Sequence, residues 1–298
     1  MALLPFDDRD GTIWFDGQLI PWRDAKLHVL SHGLHYASAV FEGERVYEGR
    51  IFKSAEHAAR LVRSAELMDF TIPYSAEDID RFKVETVKAN GIVDGYVRPI
   101  AWRGSEMMGV SAQHNKIHLA IATWVWPSYF DPELRSKGIR LAISDWRRPA
   151  PNMAPVASKA AGLYMICTLS KHKAEREGYQ DALMLDHRGL VAEATGANIF
   201  FVMKGELHTP TPDCFLDGIT RRTVIDLARQ RGIKVVERAI QPEEMAEAEQ
   251  CFLCGTAAEV TPVGEIGPYK FTVGDITRTL MEDYATLVRT PAQAQAAE

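Results

Sequence analysis

The chain has 298 residues, 46% of them hydrophobic and 25% charged, with a formal net charge of −6. This describes a globular protein of about two domains with enough apolar residues for a sizeable core, and the lack of any Lys/Arg-rich block excludes a dedicated nucleic-acid or anionic-membrane binder, leaving small molecules as the default partners. No apolar run approaches the ~20 residues needed to span a bilayer, the opening MALLPFDDRDG lacks the basic and apolar regions of a signal peptide, and four cysteines make no disulfide framework in a chain this long, so a cytosolic protein is expected.

In chain order, TIWFDGQLI and RVYEGRIFK read as hairpins turning at Asp16-Gly17 and Glu48-Gly49. Helical spacing of Ala58, Leu61, Ala65 and Met68 predicts a helix over 54–68 with Ser54 as its N-cap. Ser75-Ala-Glu-Asp opens a second helix as a capping box, ending near Asn90-Gly91, and YVRPIAW and IHLAIATWVW read as strands. The aperiodic stretch 126–138 separates an N-terminal domain over 1–125 from a C-terminal domain over 139–298. In the second domain, IRLAISDW is a strand and the segment around Lys159 leads into a helix. A hairpin ALMLD-HRG-LVAEA follows, then strands NIFFVMKG and ELHTP, a helix over 220–231 ended by Gly232, strand KVVERAI, helix PEEMAEA, strand QCFLCG and a last helix over 274–288. The fold class is α+β. In CFLC the two cysteines stand at i and i+3 of a strand and point to opposite faces, so they read as core residues and not as half of a metal site; no metal site is expected.

Candidate chemistry begins with PAPNMAPVASKAAGLYMICTLS, where Lys159 is the one charged residue. Such an ammonium is either a desolvated amine nucleophile suited to Schiff-base chemistry or a lysine snorkelling to water, and the run alone leaves both open. Glu193 in GLVAEATGANIFFV is its counterpart, a carboxylate among uncharged neighbours. It either reaches solvent at a strand end or has a cationic partner, for which the protonated pyridine nitrogen of pyridoxal phosphate carried on Lys159 is suited. Gly218, Ile219 and Thr220 start a helix where free N–H groups and the dipole favour an anion, and Gly255-Thr256-Ala257 forms a second small-residue turn. Arg60 is a cation on an apolar-faced helix, either solvated or turned to the same anion.

APVASKAAGLY, LVAEATGANIFF, CFLDGITRRTVIDLA and GTAAEVTPV, with SHGLHYASAVFEGERVY and YVRPIAWRG, together resemble the branched-chain amino acid aminotransferases of the class IV (D-alanine transaminase-like) pyridoxal-phosphate family, over about residues 12–288. The resemblance implies a small α/β domain followed by a larger domain with a β-barrel-like core and surrounding helices. It implies transamination of Leu, Ile and Val with 2-oxoglutarate, with these small molecules as partners and a homodimer or larger homo-oligomer as the assembly. By motif, Lys159 corresponds to the lysine that carries pyridoxal 5'-phosphate and shuttles the proton, Glu193 to the partner of the pyridine nitrogen, and Tyr164 to the tyrosine on the phenolic oxygen. Arg60, Ile219, Thr220 and Thr256 correspond to phosphate binders. Tyr96 and Arg98 correspond to the polar side of the substrate pocket, Tyr36, Phe41, Trp126 and Tyr129 to its aromatic walls, and Thr256 and Ala257 to backbone donors for the α-carboxylate. His28, His32 and His35 are expected to be structural. The chain departs from the pattern in its short RVYEGRIFK hairpin and in Ala197, where a glutamate is common. The same fold also carries D-amino acid and (R)-amine transaminases and aminodeoxychorismate lyase, and a non-catalytic cofactor carrier is the rival of another class.

Overall fold

The computed structural model describes residues 4–126 and 137–291. The chain divides into one compact unit of Met1–Pro127 with Ser158–Gly162 and a second of Ser128–Ala157 with Leu163–Glu298. Among the described residues no helix is long and apolar enough to cross a membrane.

The first unit is a seven-stranded sheet. Its strands are β1 (Thr12–Phe15), β2 (Gln18–Pro21), β3 (Ala39–Phe41), β4 (Glu44–Tyr47), β5 (Arg50–Ile51), β6 (Gly95–Arg103) and β7 (Ile117–Trp124), in the order β2-β1-β7-β6-β4-β5, with β3 also paired to β6. Both expected hairpins form. Asp16 and Gly17, and Glu48 and Gly49, all take positive φ, as a two-residue turn matched to strand twist requires. Three helices accompany the sheet: α1 (His32–Tyr36), α2 (Ser54–Leu67) and α3 (Ala76–Ala89). Ser75 and Asp78 make the expected capping box of α3. Ser54 is not an N-cap: the cap residue is Lys53, in left-handed backbone at φ 52°, because the chain must turn sharply out of β5. Between strands and helices lies a core that includes Trp14, Val46, Leu61, Ile79, Leu119 and Ile121. One charged pair is sealed beside it: Lys83 on α3 and Glu44 on β4 meet at 2.8 Å with both side chains fully buried.

In the second unit, β8 (Ile139–Arg148), β9 (Asp181–Asp186), β10 (Val191–Ala194), β11 (Asn198–Met203), β14 (Gln250–Gly255) and β15 (Glu259–Ile266) pair successively, and β15 returns to β8. The ring is a closed six-stranded barrel. β12 (Glu206–Pro210) and β13 (Val235–Arg238) extend the sheet from β11, and β16 (Tyr269–Lys270) pairs with β15. Leu141, Leu183, Ile199, Phe201, Cys251, Leu253 and Val263 belong to one buried cluster, the alternate residues of each strand that share a face. Phe200 and Phe252 occupy the other face, stacked at 5.0 Å. Among the described residues this unit carries α4 (Met165–Arg176), α5 (Ile219–Gln230) and α6 (Asp275–Arg289). PEEMAEA is a 3-10 helix, Pro242–Glu247, and not an α-helix. Strand β15 is absent from the sequence reading because Pro262 and Gly264 interrupt its apolar run. Gly264 fits closely there, since a Cβ would lie 3.2 Å from the Lys137 carbonyl oxygen.

Candidate active site

In the first unit, the segment Ser158–Gly162 is tied down through its backbone. Ser158 Oγ donates to the Ser64 carbonyl at 2.9 Å, Ser64 Oγ accepts from the Lys159 N–H at 3.0 Å, the Phe41 N–H donates to the Lys159 carbonyl at 3.2 Å, and Ala160 bridges Val40. With its backbone fixed on both sides, the half-buried Lys159 side chain sets its Nζ 5.0 Å from the centre of the Phe41 ring. The same ring lies 4.9 Å from the Arg98 guanidinium carbon, which is 5.4 Å from the Tyr96 ring. Arg98 Nη2 reaches the Tyr96 hydroxyl at 3.5 Å, as two residues on one face of β6 permit. Trp126 meets Tyr96 edge-on at 4.5 Å. Phe41, Tyr96, Arg98, Trp126 and Lys159 are therefore one cluster. Gly43 makes it possible: a Cβ there would fall 1.9 Å from the Tyr96 hydroxyl.

Arg60 stands on α2 with His57 three residues before it and Ser64 four after, on one face of the helix. It is not a solvated cation. Its Nε and Nη2 donate to Glu42 Oε1 and Oε2 at 2.6 and 2.8 Å, and His57 Nδ1 lies 2.8 Å from the same Oε2. Burial alone would raise the pKa of Glu42, but the Arg60 guanidinium and His57 overcome it and hold the carboxyl well below the usual range. Tyr36 is 44% exposed and stacked on His32 at 4.5 Å. His32 bridges Ser38 Oγ and the Gly109 carbonyl oxygen, a structural arrangement. Tyr129 lies outside the described residues.

The second unit holds the other candidates. Glu193 on β10 is 8% exposed, and its Oε1 is 3.3 Å from Nε of Arg148, itself buried at the end of β8. Burial works against the guanidinium charge, yet the Glu193 carboxylate holds the Arg148 pKa above its ordinary value. Arg148 Nη1 also reaches the Leu163 carbonyl at 3.4 Å and Cys167 Sγ at 3.6 Å. Burial pushes the Cys167 thiol up to about 11, and the charge of Glu193 adds to it. Asn198 Nδ2 donates to Glu193 Oε2 at 3.3 Å and to the Leu216 carbonyl at 3.1 Å, so one amide joins the carboxylate to the segment leading into α5. Helix α5 starts at Ile219 and Thr220, both buried, with Gly218 as N-cap and no side chain capping it. Gly218 packs so closely on Asn198 that a Cβ would fall 2.2 Å from Oδ1. Tyr164 ends a 3-10 turn, Ala161–Tyr164, and is half-buried; Thr256 and Ala257 form the half-buried turn after β14. Cys251 and Cys254 are both buried as free thiols.

Glu42, His57, Ser64, Arg148 and Asn198 were not singled out from sequence. Arg148 sits in WRRPA and His57 in AEHAAR, stretches that read as solvated, and only pairing across the fold distinguishes them.

The Amino-transferase class IV family matches residues 39–266. The probable branched-chain-amino-acid aminotransferase of Rickettsia conorii is 42% identical over 293 residues, covering 97% of this chain and all of that one. The branched-chain-amino-acid aminotransferase of Pseudomonas aeruginosa is 40% identical over 296 residues, 97% of this chain and 96% of that protein. The crystal structure of the branched-chain amino acid aminotransferase from Thermobaculum terrenum in its PLP form is 32% identical, with a TM-score of 0.87 over 94% of this chain and 95% of that one. A barrel and motif set matched along nearly the whole length, at this identity, mean that the chain belongs to the class IV aminotransferases, among the branched-chain-amino-acid aminotransferases.

Proposed function

We propose that this protein transfers the amino group of L-leucine, L-isoleucine and L-valine to 2-oxoglutarate, with pyridoxal 5'-phosphate as its cofactor. The carrying observation is Lys159, held by its backbone on both sides with its Nζ over Phe41 and in one cluster with Tyr96 and Arg98. The donors present suit the cofactor's groups: an amine in the first unit and, in the second, a buried carboxylate backed by a guanidinium and a helix start without a capping side chain, where a Cβ on Gly218 would meet Asn198 Oδ1 at 2.2 Å. Lys159, Arg60, Tyr164, Glu193, Ile219, Thr220 and Thr256 are the residues assigned to hold it.

Bound there, pyridoxal phosphate supplies an electron sink for the charge left when the substrate Cα–H bond breaks. Lys159 Nζ takes the Cα proton as a base and returns it as an acid. Glu193, its charge balanced by Arg148, keeps a proton on the ring nitrogen, and Tyr164 donates to the phenolic oxygen. The N–H groups of Ile219 and Thr220 would hold the phosphate, as the free N–H groups of a helix N-terminus hold an anion. Thr256 and Ala257 offer N–H donors to the α-carboxylate. Phe41, Tyr96 and Trp126, with Tyr36 and Tyr129, take an aliphatic side chain out of water, and Arg98 receives the γ-carboxylate of glutamate in the other half-reaction.

A homo-oligomer is part of this reading. Val29, Leu34 and Val110 are 70%, 61% and 87% exposed on two segments joined by the bond from His32 to Gly109, an apolar surface suited to a second copy. A cytosolic location fits four buried, unpaired cysteines. The test is an amino-donor panel against 2-oxoglutarate with purified protein, read by amino-acid analysis, alongside Lys159→Ala. Transfer from Leu, Ile and Val that disappears in the variant supports the reading; a variant turning over at the wild-type rate refutes it. Light scattering tests the oligomer, and a monomer at working concentration removes that part.

A further inference from the structure

The Arg60–Glu42–His57 group, with Glu42 and His57 buried and Arg60 half-buried, borders the Lys159 segment on two sides, and of the three only Arg60 is assigned to the cofactor. Glu42 follows Phe41, whose N–H holds the Lys159 carbonyl, and α2 carries both Arg60 and the Ser64 that binds the Lys159 N–H. The Glu42 carboxylate is fully buried, and His57 is 2% exposed. An isolated arginine explores many rotamers, whereas this one is clamped by two short charge-assisted bonds along its Nε–Nη2 edge. That clamp turns the other edge, Nη1–Nη2, aside from Glu42, and this edge is the one able to fork a phosphate.

We infer that Glu42, braced by His57, is a positioning residue that fixes the Arg60 guanidinium for the cofactor phosphate. The inference rests on the assignment of Arg60 as a phosphate contact. A rival effect has the opposite sign: Glu42 also neutralises Arg60, so removing its charge would leave more positive potential for the phosphate. Geometry decides between them. In Glu42→Gln one carboxylate oxygen becomes an NH2 that faces an Arg60 N–H in either amide orientation, Nε at the Oε1 position or Nη2 at the Oε2 position, so the guanidinium must swing away from a donor–donor clash.

The experiment measures equilibrium binding of pyridoxal phosphate and of unphosphorylated pyridoxal to cofactor-stripped whole protein, for wild type, Glu42→Gln, Arg60→Met and the double variant. Glu42→Gln is expected to weaken pyridoxal phosphate about tenfold to hundredfold, the range of one charged hydrogen bond. Pyridoxal affinity should stay within about twofold, and the substitution should add no further loss in the Arg60→Met background. If Arg60→Met weakens pyridoxal phosphate but Glu42→Gln leaves it unchanged or tighter, positioning is overturned and neutralisation is the larger effect. Equal losses for both ligands, or a loss that persists without Arg60, make Glu42 merely structural and also overturn it. Unchanged binding in Arg60→Met instead overturns the phosphate assignment of Arg60. Should Glu42→Gln not fold, Glu42→Asp keeps the charge but withdraws the clamp by one carbon, and the same selective loss is expected.

Discussion

Replacing Arg148 with methionine removes the cation facing Glu193 while keeping most of the side-chain volume. Two unit charges about 4 Å apart at an effective dielectric of about 20 attract by about 4 kcal/mol. Removing one partner of a buried pair costs about 3–5 kcal/mol, because the remaining charge stays buried. Here the contact is 3.3 Å, but Arg148 Nε has no aligned hydrogen-bond acceptor among the described residues, and Glu193 keeps the Asn198 amide. The lower end, about 3 kcal/mol, is therefore expected for Arg148→Met. Glu193→Gln strands the guanidinium instead and should cost a similar amount, whereas Arg148→Met with Glu193→Gln leaves no charge behind and should sit within about 1 kcal/mol of wild type. Urea unfolding of cofactor-free protein for all four forms gives the coupling energy directly. Single losses that add to within about 0.5 kcal/mol in the double variant would show no coupling and refute the pair as the reason Glu193 can remain charged at 8% exposure.

Gly43→Ala should displace the Tyr96 hydroxyl, which a Cβ would approach to 1.9 Å, and raise KM for leucine with little change in cofactor spectrum; an unchanged KM would count against Tyr96 as a pocket wall. Arg98→Met should weaken glutamate and 2-oxoglutarate by about one to two decades while leaving leucine nearly unaffected, measured by stopped-flow in separate half-reactions; equal losses would assign Arg98 to the shared α-carboxylate. All four cysteines are buried, with the Cys167 and Cys214 thiols raised to about 11, so Ellman's reagent should find almost no reactive thiol at pH 8 and four after denaturation. Glu42 has a depressed folded pKa, so its contribution to stability is present above the unfolded carboxylate value of about 4.3 and is lost as pH falls below it. Glu42→Gln should flatten the loss of unfolding free energy between about pH 5 and 3; an unaltered slope would contradict the clamp.

Much of the architecture was legible because its signals are local. Asp16-Gly17, Glu48-Gly49 and the Ser75 capping box each fix the chain within four residues. Strand β15 was hidden because Pro262 and Gly264 contradict strand propensity, and the close approach at Gly264 comes from Lys137 and Gly138, just ahead of β8 and more than a hundred residues away in sequence. Helix α2 begins at Ser54, its apparent cap, and the cap moves one residue earlier because the left-handed Lys53 answers to the preceding hairpin and not to the helix.

The candidate site divides in the same way. Lys159 and Glu193 stand out because each is a lone charge among uncharged neighbours, which is what a group facing a cofactor looks like when its counter-charge is not nearby in the chain. The residues that hold such groups give the opposite signal. Glu42 and Glu44 lie in FEGER and His57 in AEHAAR, charge-rich stretches that read as wet surface, yet these side chains are almost wholly buried. Burial is tolerable only because each charge meets its partner across the fold, Arg60 at 18 residues' separation and Lys83 at 39. A buried charge set among other charges in the sequence is distinguished by its pairing alone, and pairing is a property of the folded chain. Isolation therefore marks Lys159 and Glu193, the groups proposed to meet the cofactor, while the buried pairs become visible only when distant segments are brought to within 3 Å of one another.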